Sequence, residues 1–161
     1  MEVELRVLGL MADPITKGIL LVLRQRGSDR KLPMWVGAFE ADAIAKELEH
    51  IANPRPMTHD LIHAILDQLG ARIAKVVITR VEGNVFYADL HLETPSGPRV
   101  VDCRPSDAIA LALRKGVPIY ARAEVLDRAE RLDLAASQRD NEQIRAWLES
   151  LGAPRLGEYE Q

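Results

Sequence analysis

The chain repeats a pattern of its own at a fixed distance, which limits its possible folds more than any other feature. Asp42-Ala43-Ile44-Ala45 recurs as Asp107-Ala108-Ile109-Ala110, 65 positions later. The same offset, without gaps, pairs Gly18 with Gly83, Pro33 with Pro98 and Leu48 with Leu113. The surrounding stretches match in kind. Gly18 to Gln25 is an apolar run, Arg26 to Lys31 a turn and Leu32 to Val36 a second apolar run. Their counterparts are Asn84 to Leu92, Thr94 to Pro98, and Arg99 to Cys103. Each reads as a hairpin followed by a helix. An extra strand precedes each hairpin: alternating Val3, Leu5 and Val7 in one copy, Ile73 to Val81 in the other. The expected fold is therefore α+β. Two duplicated β-β-β-α units, Met1 to about Asn53 and Ala71 to about Lys115, form a mixed or antiparallel sheet packed with helices.

Helices fill the remainder. Ala41, Ile44, Ala45 and Leu48 follow an i, i+3, i+4, i+7 stripe. Leu61, Ile62, Ile65, Leu66 and Leu69 make a second stripe over a helix from Thr58 to Leu69, which bridges the two units. On that helix Asp60, His63 and Asp67 read as a solvated face. The third helix, Ser106 to Arg114, is apolar nearly all round, so it is expected between layers or under a partner. Pro118 to Tyr120 reads as a short strand and Ala123 to Arg131 as a short helix. The organisation expected is a domain over residues 1–130, then a linker and an amphipathic helix over 131–161 carrying Ile144, Trp147, Leu148 and Leu151.

Composition removes several classes. The 161 residues can bury a full core without staples. The single cysteine, Cys103, allows no intrachain disulfide and no cysteine-based zinc site. No apolar run approaches a membrane span, and the acidic N-terminus does not read as a signal peptide. The expectation is a cytoplasmic protein without a membrane partner. A net charge of −3, from 21 basic and 24 acidic residues, gives no overall attraction for nucleic acid.

Three stretches could carry chemistry. Asn53-Pro54-Arg55-Pro56-Met57-Thr58-His59-Asp60 is a proline-stiffened loop running into a helix, with Thr58 as the expected N-cap. Arg55, His59 and Asp60 then project from a helix N-terminus, where anions bind. Arg104-Pro105-Ser106-Asp107-Ala108 starts the third helix with proline and a first-turn carboxylate. Its repeat partner, Gly37 to Asp42, carries Glu40 and Asp42. Carboxylates gathered in a cleft can hold Mg²⁺ or Mn²⁺, which activate water against a phosphodiester. The same residues also serve simply as helix starts. His59 and His63 share a helix face and could chelate zinc, but the zinc-protease glutamate and a third ligand are missing. Cys103 reads as a small buried apolar residue, not a nucleophile.

Three motifs taken together resemble the bifunctional nuclease domain family. They are Pro33-Met34-Trp35-Val36-Gly37 with Glu40-Ala41, Arg55 to Asp60, and Arg104 to Ala112. Order and spacing agree, and the resemblance covers roughly residues 1–130. It implies a compact α+β fold, self-association and nuclease activity on DNA and RNA, the activity resting on longer plant members.

Two functions compete. One is a nuclease, with His59 as acid/base, Asp60 and Asp107 as metal ligands or base, Glu40 and Asp42 as further ligands, and Arg55, Arg104 and Ser106 holding substrate. The other is a non-catalytic binding or regulatory module that self-associates. Either is expected to be a homo-oligomer, most simply a dimer.

Overall fold

The structure is a computed structural model, and it describes residues 1–12 and 18–136. Its elements in chain order are β1 (Glu2–Ala12), β2 (Ile19–Gln25), β3 (Lys31–Val36), α1 (Ala38–Leu48), α2 (Thr58–Gln68), β4 (Arg72–Glu82), β5 (Val85–Thr94), β6 (Gly97–Cys103), α3 (Pro105–Lys115), β7 (Ile119–Arg122) and α4 (Ala123–Ala136). The order β-β-β-α thus occurs twice, with α2 between the two runs. All seven strands join one mixed sheet in the order β3-β2-β1-β7-β4-β5-β6. Each three-stranded run is antiparallel within itself. β7 closes the gap between them, antiparallel to β1 and parallel to β4.

Burial follows from this layout. Leu20 to Leu23 in β2 and Val76 to Thr79 in β4 are buried in unbroken runs. Side chains alternate across a sheet, so such runs need cover on both faces. α1 and α3 pack on each other, α1 over β1 and β2, and α3 over β4 and β5. α4 crosses β4, β7 and β3. Pro33 sits in the edge strand β3, a position that tolerates a missing N–H.

Several expectations need correcting. The first strand extends to Ala12 and α1 begins at Ala38, three residues before its apolar stripe. α2 begins at Thr58, with Met57 as its N-cap. The Asp60 carboxylate, not the Thr58 hydroxyl, takes up an exposed helix donor by accepting the Met57 N–H at 2.8 Å. The short fourth helix continues to Ala136, past the boundary expected at residue 131. The amphipathic helix expected around Ile144 and Trp147 lies outside the described residues.

The largest reversal concerns α2. His63 was expected on a solvated face, yet its relative exposure is 6% and that of His59 is 8%. Ile62 and Leu66 pack against the core, while Leu61, Ile65 and Leu69 are at least half exposed. α3 causes this orientation. Its residues Ala108 to Ala112 are all buried, by α1, α2, β4 and β5 of the same chain. The all-round apolar helix therefore needs no partner subunit to cover it.

Candidate active site at the starts of α2 and α3

α2 lies beside α3 and runs in the same direction. Three contacts with one offset fix the register: His59 to Asp107, His63 to Leu111 and Asp67 to Lys115. Residues four apart share a helix face, so these are successive rungs of one polar ladder. The first rung is a side-chain hydrogen bond, with His59 Nε2 3.0 Å from Asp107 Oδ1. A carboxylate only accepts, so Nε2–H donates; in the neutral ring the lone pair is then on Nδ1. In the second rung His63 Nε2–H donates to the Leu111 carbonyl at 2.8 Å. The third is a long, exposed pair at 3.6 Å.

Asp107 is held from its other side as well. Arg104 Nε donates to Asp107 Oδ2 at 2.9 Å, and Arg104 Nη2 donates to Glu40 Oε1 at 2.6 Å. The hydrogen bonds it donates to Asp107 and Glu40 raise the Arg104 pKa further, so it is a permanent cation. Its side chain is 66% exposed, so the guanidinium lies on the open side of the pair. The backbone makes room for this arrangement at Gly37. A Cβ there would overlap the Glu40 carboxylate, which folds back over the start of α1.

Asp60 belongs to a different cluster. Its Oδ1 accepts from Arg114 Nε at 2.7 Å and its Oδ2 from the Met57 N–H. Burial pushes its carboxyl up, but the bonds from Met57, Arg114 and Asn53 together outweigh that and hold it below its ordinary value. The structure thus brings His59, Asp107, Arg104 and Glu40 together and does not bring Asp60 to them. Asp42 is also elsewhere, paired with Lys46 at 2.7 Å on an exposed face. Arg55 is exposed on the loop before α2, and Ser106 is buried in the first turn of α3. Cys103 is half-buried, and burial pushes its thiol up to about 12, so it is no nucleophile at neutral pH.

These donors do not fit a divalent ion as they stand. Among the described residues no three His, Cys, Asp or Glu side chains converge to hold one. The positive charge between Glu40 and Asp107 is the Arg104 guanidinium.

Sequence reasoning missed Arg114. It reads there as a basic residue in the last turn of a helix, where the dipole favours it, and nothing local links it to Asp60. Its side chain is only 5% exposed.

A buried histidine bonded to an aspartate, with an arginine beside them, thus lies where the starts of α2 and α3 meet. The profile of the bifunctional nuclease domain matches residues 21–133, and the chain belongs to that family. An uncharacterized protein of Mycobacterium tuberculosis is 42% identical over 126 residues, covering 78% of this chain and 75% of that protein. Bifunctional nuclease 1 of Oryza sativa subsp. japonica is 30% identical over 127 residues, as is the bifunctional nuclease of Oryza minuta. The match covers 74% of this chain but 37% of each plant protein, so the plant enzymes are much longer.

Proposed function

We propose that the protein hydrolyses phosphodiester bonds of nucleic acid at the His59–Asp107 pair, with water as nucleophile. The observation that carries this reading is the first rung of the ladder: a buried imidazole whose Nε2–H is taken by Asp107. That bond leaves Nδ1 as a base for water. The water oxygen forms the new bond to phosphorus, His59 takes its proton, and the ester oxygen leaves with a proton returned by the imidazolium. Arg104 is the exposed cation of the site, and a non-bridging phosphate oxygen would compete with Glu40 and Asp107 for its guanidinium. Arg55 is a second exposed cation near the start of α2. The single free cysteine fits a reducing compartment, and the same reading places the protein in the cytoplasm. Among the described residues no helix is long and apolar enough to cross a membrane.

The test is hydrolysis of labelled RNA and DNA by highly purified protein beside His59→Ala prepared identically. The parent should cleave, and the variant should be slower by about 10²-fold or more. Equal rates would contradict the reading. An EDTA arm addresses Mg²⁺ or Mn²⁺, which would have to take the place of Arg104 between Glu40 and Asp107. A rate lost in EDTA and restored by either ion would make the hydrolysis metal-dependent, and loss of that rescue in Glu40→Gln would point to those carboxylates as ligands.

One observation favours the binding-module reading instead: Glu40 and Asp107 are both already neutralised by Arg104. Self-association fits either reading. Leu61 and Ile65 lie one turn apart on the outward face of α2, with Leu69 a further turn on, and the exposed helix positions between them on that face, Ala64 and Gln68, are uncharged. A charge-free apolar stripe is a poor match for nucleic acid and a good one for its own copy. Light scattering should give a dimer mass for the parent and a monomer mass for Ile65→Glu. A monomeric parent would contradict this assembly.

A further inference from the structure

We propose that Arg114 is a positioning residue which sets His59 against Asp107 by clamping the first turn of α2 onto α3. The inference deepens the hydrolase reading and rests on it for its catalytic consequence. It starts from two neighbouring residues that reach opposite ends of one helix. His59 reaches Asp107 in the first turn of α3, and Asp60 reaches Arg114 in its last turn. The start of α2 is therefore held at two separated points, and a helix turn held at two points cannot roll. The rotation it loses is the one that would swing the His59 ring off the Asp107 carboxylate.

Arg114 is built for this task and poorly built for stability alone. Its Nε donates to Asp60, and its Nη1 donates to the Ala110 carbonyl one turn back at 2.7 Å. Glu47 of α1 stands 3.7 Å from the same Nε, so one guanidinium meets residues of α1, α2 and α3. Its Nη2 is buried with no hydrogen-bond partner among the described residues. A buried cation with one unsatisfied nitrogen carries a desolvation cost that apolar packing would avoid, and setting register is the best-attested return on such a group. The clamp also continues into the loop, because the carboxylate that Arg114 grips holds the Met57 N–H with its other oxygen. The ladder supplies an internal control. His63 bonds the Leu111 carbonyl one turn further along α2, through α3 backbone and without Arg114.

The experiment compares the full chain with Arg114→Gln, Arg114→Lys and Asp60→Asn. Each protein is followed by thermal unfolding, by the ring N–H protons of His59 and His63 in ¹⁵N-histidine-labelled samples, and by kcat and KM for a labelled oligonucleotide. In folded Arg114→Gln the His59 Nε2–H signal should be lost to exchange while that of His63 persists. kcat should fall by roughly 10-fold to 100-fold with KM nearly unchanged, since small misplacement of a reacting group costs that much. Arg114→Lys keeps a cation for Asp60 and should recover part of both signal and rate. Asp60→Asn removes the pair from the other side, keeps the shape, and should reproduce the Arg114→Gln pattern if that variant does not fold. Retention of the His59 signal and rate in a folded variant overturns the proposal. Simultaneous loss of the His59 and His63 signals also overturns it, because that is general loosening. A parent without hydrolysis, but with the selective His59 loss in the variants, contradicts the hydrolase reading and leaves the clamp standing.

Discussion

The starts of α1 and α3 carry the same four-residue repeat, yet only one of them holds a histidine. Asp107 is the third residue of α3, whereas its repeat partner Asp42 is the fifth residue of α1. The shift has a local cause. Pro105 suits the first helical position and sets the start of α3 there. α1 begins two positions earlier relative to the repeat, with Gly37 as its N-cap, and Glu40 then occupies the third position. Arg104 binds the two third-position carboxylates, Glu40 and Asp107. Asp42 is left to pair with Lys46 four residues on, an ordinary exposed helix pair. The second asymmetry is α2, which packs on α3 and delivers His59 to Asp107. Matched residue types recur 65 positions apart; the helix start and the neighbouring helix decide which of the two carboxylates meets a histidine.

Removing the arginine that joins the two helix starts should have the largest effect on binding. Arg104→Ala should weaken oligonucleotide affinity about tenfold and lower the slope of log affinity against log salt by about 1. Glu40→Gln should move affinity the opposite way by freeing Arg104. A loss of affinity in both variants, measured by fluorescence anisotropy, would break the picture of two carboxylates competing with phosphate for one cation.

Next in size is the pairing on the far side of α2. The folded carboxyl of Asp60 lies below its ordinary value of 3.8, so its contribution to stability is full above that value. It is lost as pH falls through the lower folded value. Urea unfolding should show the parent keeping its advantage over Asp60→Asn from neutral pH down to about 3.8 and losing it as pH falls further. An advantage that grows with acid would contradict the sign.

The smallest effect belongs to the unused copy. Asp42→Asn removes an exposed pair and should change stability by less than about 0.5 kcal/mol. A large loss there would mean that the two helix starts are more alike than the geometry suggests.

Much of this fold was legible in the chain. The apolar runs of β2 and β4 read as strands, Arg26 to Lys31 and Thr94 to Pro98 read as turns, and Arg104-Pro105 marked the start of α3. The bond between His59 and Asp107 was not legible, although both residues stood out. They lie 48 positions apart, and only the packing of α2 on α3 joins them. Periodicity also misread α2. Five apolar positions suggested one inward stripe, but that pattern is wide enough to face two ways. Ile62 and Leu66 reach the core, while Leu61 and Ile65 do not. The hydrogen bonds of His59 and His63 to α3 fix which side turns in. Arg104 was legible as a cation at a helix start, but its two carboxylate partners come from helices far apart in sequence.

The most direct test of the account compares Asp107→Asn with Asp42→Asn, purified and assayed side by side for hydrolysis of the same oligonucleotide. Asp107→Asn keeps the shape but removes the carboxylate that orients His59, so its kcat should fall by about 10²-fold or more. Asp42→Asn should stay within about twofold of the parent, because an exposed i, i+4 pair orients nothing in the site. Equal rates for the two folded variants, or a larger loss in Asp42→Asn, would contradict the assignment of the site to the start of α3.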